Sequence, residues 1–247
     1  MNARSTISVL AIAAFAAGTL VGCSINGSGP WINRGDLTGE TITQKRSLDG
    51  FTGISLSGNA TLTVTQGDSF SVAVTTDSGL QDHVDTAVRG STLEIDQNYS
   101  IAGRSPSVTV AVTLPRLDTV DLSGSASTTI DGTSGESLHV SSSGASDIHI
   151  DAAVNTLAVV VSGSGAIDLA GTARSVELTI SGSGLVTGAA LKATTADVSV
   201  SGWGNVTLSV EKTLDASLSG SGNITYYGDP EVRSEVSGLG RVHRAGS

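Results

Sequence analysis

The sequence is poor in several residue types on which whole classes of protein depend. Of its 247 residues, one is cysteine, four are proline and 3% are aromatic. A single cysteine excludes an internal disulfide framework and a zinc site built from several cysteines. Basic residues are also scarce, 13 against 23 acidic ones, which gives a formal net charge of −10. Because such a surface repels phosphate backbones, nucleic acid is not expected as a partner.

Glycine and aliphatic residues are abundant instead. Glycine accounts for 31 residues and 38% of the chain is hydrophobic, whereas only 15% is charged. This composition is too apolar and too weakly charged for a disordered chain. With so few aromatic residues, any core must be built from Val, Ile, Leu and Ala. The many glycines indicate frequent tight bends.

The first 22 residues form an apolar segment with a single charge, Arg4. Its apolar run, Ile7 to Val21, is shorter than the roughly 20 residues that cross a bilayer, and it ends in small residues. We therefore interpret residues 1–22 as a signal peptide, with a buried N-terminal helix as the alternative.

The four residues Leu20-Val21-Gly22-Cys23 that close this segment resemble the lipobox of bacterial lipoproteins. The resemblance implies cleavage before Cys23, lipidation of its sulfur and of the new N-terminus, and stable attachment to a membrane by several acyl chains. By analogy with Gram-negative sorting, Ser24 in place of Asp favours the outer membrane. The inner membrane and a Gram-positive surface are the alternatives.

The rest of the chain divides into three parts by composition. Residues 23–44 are rich in Gly, Ser, Asn and Thr and are predicted to be a flexible linker. Residues 45–115 read as an N-terminal β-rich capping part, in which the alternating runs Ile54–Thr65 and Phe70–Thr75 predict a hairpin with its turn at Gln66-Gly67-Asp68. Residues 116–244 contain an internal repeat.

The repeat is a nine-residue pattern, apolar-x-apolar-Ser-Gly-x-small-x-apolar, that occurs seven times from residue 120 onward. Its glycines lie 18 to 20 residues apart, and an earlier copy surrounds Gly58. A fixed period of this length, rich in β-branched residues, predicts a β-solenoid of about seven rungs stacked about 4.8 Å apart. The repeat glycines are Gly124, Gly144, Gly163, Gly182, Gly202, Gly220 and Gly238.

Positions are numbered here from the repeat glycine of each rung, which is position zero. Aliphatic residues occupy the even positions −4, −2, +4 and +6, the period expected of one strand face. We expect Val161, Ile180 and Val200 to lie above one another in the core. The glycine and the small residue at +2 share this parity and are expected to point inward at a bend whose opposite wall leaves no room for a Cβ. In the last copy Arg244 replaces an apolar residue at +6 and is expected to cap the stack.

The openings Phe51-x-x-Ile54-x-Leu56-Ser57-Gly58 and Leu114-Pro115-x-Leu117-x-x-Val120-x-Leu122-Ser123-Gly124-Ser125, with the Ser-Gly-x-Gly rungs that follow, resemble the bacterial head GIN domain. That family is described as an adhesin head of auto-transporters and as a domain of unknown function. The resemblance covers roughly residues 45–243. It implies an all-β, right-handed parallel β-helix in the cell envelope.

Trp203 carries the strongest indication of a binding surface. It occupies position +1, which is odd and therefore outward, where the other rungs have Ser, Ala or Leu. An exposed ring among polar side chains is suited to stacking on a sugar or on a surface protein. The candidate ligand-binding residues are therefore Trp203, Asn205, Thr207 and Thr225.

Catalysis is less well supported. The acids Asp147 at +3 and Asp168 at +5 are not part of a row of carboxylates, and His139 and His149 lack metal-ligand spacing. We therefore expect no catalytic residue, no metal and no cofactor, and the leading hypothesis is a lipid-anchored, non-catalytic adhesion or scaffold module. The alternative is a carbohydrate-active enzyme of pectin-lyase-like fold acting on polysaccharide, which would need Asp147, Asp168 and a basic residue such as Arg174 in one groove.

Overall fold

The computed structural model describes residues 31–32, 36–97, 99–101 and 106–246. The predicted signal peptide and Cys23 lie outside these residues, as does much of the predicted linker. The described chain is almost entirely β-strand, and none of its helical segments has the length and apolar character needed to cross a membrane.

Seventeen strands and one short 3-10 helix are present among the described residues. The 3-10 helix spans Ser78–His83. The strands are β1 (Trp31–Ile32), β2 (Thr41–Arg46), β3 (Gly53–Gly58), β4 (Thr61–Gln66), β5 (Ser71–Asp77), β6 (Val84–Arg89), β7 (Thr92–Gln97), β8 (Ser100–Ile101), β9 (Thr109–Leu114), β10 (Thr119–Gly124), β11 (Ser127–Ser142), β12 (Ala145–Val161), β13 (Ser164–Gly202), β14 (Asn205–Gly220), β15 (Asn223–Tyr227), β16 (Glu231–Gly238) and β17 (Arg241–Arg244).

The repeat folds as a β-solenoid of about seven rungs, which confirms the predicted fold class. Consecutive rungs pair in parallel, with Val161 beside Ile180 and Val200 beside Leu218. Strand β13 runs through two rungs, and the N–H of Trp203 donates to the carbonyl of Gly182 one rung away, at 2.9 Å. Successive copies of the motif are therefore equivalent corners of stacked rungs.

The core is a set of aliphatic columns that run along the stack. The even positions −4, −2, +4 and +6 are buried throughout the middle rungs, and neighbouring rungs close the apolar face that one rung alone leaves open. The columns at −4 and −2 contain Val120, Val140, Val159, Leu178, Val198, Leu122, Val161, Ile180, Val200 and Leu218.

At the corner glycines the reason for the absence of a side chain differs from the prediction. They are half-buried or exposed, and a Cβ on Gly202 would lie 2.5 Å from the carbonyl oxygen of Gly182 in the adjacent rung. The restriction therefore comes from the close approach of rungs along the stack and not from an opposite wall. Among the small residues at +2, Gly184 and Gly204 point inward as expected, whereas a Cβ on Gly165 or Gly222 would meet a backbone carbonyl of the adjacent rung. A Cβ on Gly204 would lie 3.1 Å from the side chains of Ile180 and Val200.

The N-terminal part adds a rung out of sequence order. Strands β7 and β9 stack in parallel on β3 and β4, while β10 and β11 stack on the other edges of the same two strands. This extra rung explains why 66 residues separate Gly58 from Gly124, although the two glycines pair directly. The predicted hairpin is wrong: β9 lies between β4 and β5, because both edges of β4 are already occupied by β9 and β11.

The two ends of the stack are closed differently. At the N-terminal end, β5 and β6 run antiparallel to β9 and β7, and β2 covers the other edge of β5. At the C-terminal end, β16 pairs with β14 and β17 pairs with β15. Arg244 takes the +6 place beside Tyr226, as predicted for a cap, and its guanidinium lies 3.3 Å from the Asp229 carboxylate.

Asp77 joins the segment before β2 to the start of the 3-10 helix. Its carboxylate accepts hydrogen bonds from the N–H groups of Gly79, Thr38 and Gly39 and from the Thr38 hydroxyl. Burial opposes ionisation of this group, but the hydrogen bonds outweigh it and lower the pKa of Asp77 below its usual value.

Replacing Gly202 by Ala is expected to destabilise the solenoid by about 1–3 kcal/mol, the cost of a residue in a disfavoured backbone region. Gly202 has φ of +127°, and the new Cβ would meet backbone that cannot move aside. The check is the midpoint of urea unfolding. Gly135→Ala is the matched control, because a Cβ there meets nothing within 4 Å, and its midpoint should hardly change. Equal midpoints for the two variants would contradict the close-approach argument.

Replacing Asp77 by Asn is expected to lower stability at pH 7 and to matter less in acid. Because folding lowers the pKa of Asp77, its contribution is complete above the unfolded value of about 3.9 and is lost as the pH falls through the lower folded value. Urea midpoints of wild type and variant should therefore converge between pH 5 and pH 2.5. Asp131→Asn, at an exposed carboxylate without a hydrogen bond among the described residues, should show no such convergence.

Candidate functional site

In the strand segment that follows each corner, the side chains at positions +3 and +5 face solvent. Because the rungs are stacked, these side chains form two columns along the solenoid. We call this surface the ladder face. Parallel pairing places Thr129, His149 and Asp168 side by side, and likewise Thr207, Thr225 and His243. The +3 column contains Ser127, Asp147, Ala166, Leu185, Asn205, Asn223 and Arg241, and the +5 column Thr129, His149, Asp168, Thr187, Thr207, Thr225 and His243.

The ladder face contains an open depression of about 440 Å³ near the C-terminal end of the stack. Three of the four residues predicted to bind a ligand, Asn205, Thr207 and Thr225, line it together. The other polar residues that line it come from later rungs and were not predicted: Asn223, Arg241 and His243. We call it the C-terminal depression.

Two asparagines form an amide ladder across this depression. The Oδ1 atom of Asn205 accepts hydrogen bonds from the backbone N–H of Asn223 at 3.1 Å and from its Nδ2 at 3.2 Å. Both contacts use the same oxygen, so the Nδ2 of Asn205 and the Oδ1 of Asn223 have no partner among the described residues. The pair therefore presents one donor and one acceptor to solvent.

The far side of the depression is basic. Arg241 is exposed and makes no ion pair within the described residues, while the Nε2 atom of His243 lies 3.3 Å from the Thr225 hydroxyl oxygen. A guanidinium is always charged and offers several donors in a fixed plane. In a protein of net charge −10, this places a cation without a carboxylate partner beside hydroxyl and amide groups.

Trp203 lies at the corner two residues before Asn205, outside the lining of the depression. Its side chain is exposed, at 74% of the maximum, as its outward position predicts. The backbone N–H of Trp203 takes part in the inter-rung hydrogen bonding, so the corner is fixed by the backbone, while the indole makes no polar contact within the described part of the chain. An exposed ring at a rigid corner is available for stacking without reorganisation of the fold.

A second depression of about 350 Å³ lies towards the N-terminal end of the ladder face. It contains both carboxylates that the enzyme alternative required, Asp147 and Asp168, together with His149. The Nδ1 atom of His149 lies 3.0 Å from an Asp168 carboxylate oxygen, and both side chains are about half exposed. Arg174 is not among the residues that line this depression, so the proposed basic partner does not complete the group.

Asn223, Arg241 and His243 could have been found from the repeat itself. They share positions +3 and +5 with Asn205 and Thr207, and reading both columns in full would have brought all six together. No group of three His, Cys, Asp or Glu side chains suited to a metal ion occurs among the described residues.

Comparison with known proteins agrees with this architecture. Residues 50–230 match the family described as "Putative auto-transporter adhesin, head GIN domain". A "putative adhesin" of Bacteroides fragilis has a similar structure, with a TM-score of 0.78, 23% identity, and coverage of 86% of this chain and 99% of that one. Comparison with curated proteins gave no match.

Two structures from Parabacteroides distasonis are also similar. A "putative adhesin" has a TM-score of 0.71 at 21% identity and covers 87% of this chain and 100% of its own. A "putative lipid binding protein" has a TM-score of 0.68 at 21% identity, over 87% of this chain and 99% of its own. At these identities the likeness shows a shared fold.

Proposed function

Because the chain belongs to the family described as "Putative auto-transporter adhesin, head GIN domain", we propose that it is a lipid-anchored, non-catalytic adhesion module of the cell envelope that binds a glycan. The observation that carries the proposal is the meeting of Asn205, Thr207 and Thr225 with three further polar residues in the C-terminal depression.

The polar groups of the depression suit a carbohydrate. Sugar hydroxyls both donate and accept hydrogen bonds, and the free amide donor of Asn205 and acceptor of Asn223 offer both roles at the spacing of one rung. The hydroxyls of Thr207 and Thr225 lie on the same two rungs, two residues further along the strands. Arg241 adds a site for a carboxylate or sulfate on the sugar, because its guanidinium pairs with such groups in a bidentate manner.

Trp203 supplies an apolar contact beside these polar groups. Sugar rings have an apolar face of C–H groups, and an exposed indole offers a flat surface of matching character. The six other copies of the repeat from residue 120 onward have Ser, Ala or Leu at position +1. The aromatic ring therefore serves no requirement of the fold, which supports a role in contact with a partner.

The position of the depression supports attachment through the N-terminus. Cys23 precedes the first described residues. Strand β2 lies at the N-terminal end of the stack, where it pairs with β5. About seven rungs at about 4.8 Å separate this end from the C-terminal depression, roughly 30 Å. An anchor at Cys23 would therefore hold the depression away from the membrane surface. Outer-membrane attachment is part of the same proposal and depends on Ser24.

The enzyme alternative would use the second depression. Asp147 and Asp168 lie there with His149, but both acids belong to an open and solvated surface without Arg174. Such a surface gives no enclosed cleft that would exclude water from a bound sugar. We therefore place the proposed function at the C-terminal depression.

Binding to an array of immobilised neutral and carboxylated polysaccharides tests the glycan site. Trp203→Ser and the double variant Asn205→Ala/Asn223→Ala are each expected to weaken binding at least about tenfold, equivalent to about 1.4 kcal/mol. Arg241→Ala should weaken binding to carboxylated polysaccharides more than to neutral ones, because only a carboxylate pairs with the guanidinium.

Ser183→Ala is the matched control, because Ser183 is the exposed +1 residue of the neighbouring rung. It should bind like wild type, and Trp203→Ser should keep the wild-type unfolding midpoint, since Ser occupies this position in other rungs. Unchanged binding in both depression variants would refute the site. Release of new chain ends from a polysaccharide, abolished by Asp147→Asn, would favour the enzyme alternative.

Lipidation is tested separately by expressing the full-length chain in a Gram-negative host with radiolabelled palmitate. Wild type is expected to take up label and to sediment with membranes, because several acyl chains anchor stably. Cys23→Ser should lose both the label and the membrane association, and Ser24→Ala should keep them. A labelled Cys23→Ser variant would contradict the anchor, and Ser24→Asp is expected to move the protein from the outer to the inner membrane.

A further inference from the structure

Three exposed apolar side chains lie near the C-terminal end of the solenoid. Val236 is 43% exposed, whereas Leu218, the residue beside it in the preceding rung, is 1% exposed. Leu239, at 87%, and Tyr227, at 46%, flank the same strand. The aliphatic column at −2 therefore ends in a residue that no further rung covers.

The strand that carries Val236 has one free edge. Strand β16 pairs with β14 and with no other strand among the described residues, so half of its backbone N–H and C=O groups lack a strand partner. Its inward residues, Val232, Ser234 and Val236, carry no charge. Natural edge strands are commonly blocked by inward charges, and β16 has none at these positions.

The sequence of β16 is complementary to itself in one antiparallel register. We infer that β16 pairs with β16 of a second copy of this chain, about a two-fold axis through Ser234. In this register Val232 lies opposite Val236 on the inner face, twice, and Arg233 lies opposite Glu235 on the outer face, twice. Opposite charges and apolar pairs directly across an antiparallel ladder are both stabilising.

Neighbouring registers are disfavoured by charge. An axis through Arg233 would place Arg233 opposite itself and Glu231 opposite Glu235. An axis through Glu235 would place that residue opposite itself, and like charges directly opposite destabilise a ladder. Shifting one strand by a single residue would bring the inward side chains of one copy opposite the outward side chains of the other. The register about Ser234 also pairs residues 231–237, which are seven of the eight residues of the strand.

The charges of β16 are available for this pairing. Within one copy Arg233 lies 2.9 Å from Glu231 and 3.8 Å from Asp215, and its side chain remains largely exposed. Glu235 has no ion pair among the described residues, so a second copy gives it the opposite charge it lacks. Val236 of each copy would thus be covered by Val232 of the other.

Cysteine cross-linking tests the register in the full-length chain with Cys23, the only native thiol, replaced by Ser. Added Ser234→Cys is expected to form a disulfide-linked dimer on mild oxidation, because Cα atoms directly opposite in an antiparallel pair are about 4.5–5.5 Å apart, within disulfide range. Ser237→Cys is the matched control and should stay monomeric, since Ser237 lies opposite Glu231. Combining Glu231→Cys and Ser237→Cys should restore cross-linking.

Charge reversal gives a second, independent readout by sedimentation velocity. Arg233→Glu is expected to raise the dimer dissociation constant at least about tenfold, because two acidic pairs would then face each other across the two copies. The double variant Arg233→Glu/Glu235→Arg should return the dissociation constant to the wild-type value. Absence of a Ser234→Cys dimer in protein with a wild-type circular dichroism spectrum would overturn the inference, as would equal cross-linking of Ser237→Cys. The inference does not depend on the glycan site, because Trp203 and Asn205 are unchanged in every variant.

Discussion

The backbone hydrogen bonds between consecutive rungs are the interaction on which the rest of the structure depends. They require each corner to approach the previous one so closely that a Cβ on Gly202 would meet the carbonyl of Gly182. Once the corners are aligned in this way, every position of one rung lies beside the same position of the next. The aliphatic columns of the core and the polar columns of the ladder face therefore have the same origin. A binding surface made from several rungs needs no loops of its own.

The solenoid could be predicted because two periods coincide in the sequence. The period of two assigns Val161, Ile180 and Val200 to the inner face, and the period near nineteen places them above one another. The N-terminal part could not be predicted in the same way. Strands β4 and β5 alternate as hairpin strands would, but the partner of β4 is β9, whose residues lie about fifty positions later. Nothing local in the sequence distinguishes these two pairings. The extra rung is visible only once β7 and β9 are seen to stack on β3 and β4.

The candidate site was predictable in part for a related reason. Parity alone assigns Trp203, Asn205, Thr207 and Thr225 to the surface, and three of them do line one depression. The contribution of Arg241 and His243 was missed because the last copy of the motif was interpreted only as a cap. In the structure this rung has two roles on two strands. Strand β17 has Arg244 at the end of the +6 column and lines the depression with its odd positions, while β16 ends the sheet without an inward charge.

The difference between the two ends gives the molecule a direction. Antiparallel strands close the N-terminal end, next to the segment that leads back to Cys23, whereas the C-terminal end carries both the depression and the free edge of β16. In the proposed pair, a two-fold axis perpendicular to the stack joins two C-terminal ends and leaves the two N-terminal ends facing apart. Lipid anchors at those ends would then lie on opposite sides of the assembly. A module joined in this way connects two facing membranes more readily than it clusters on one, which is the geometry that adhesion between envelopes requires.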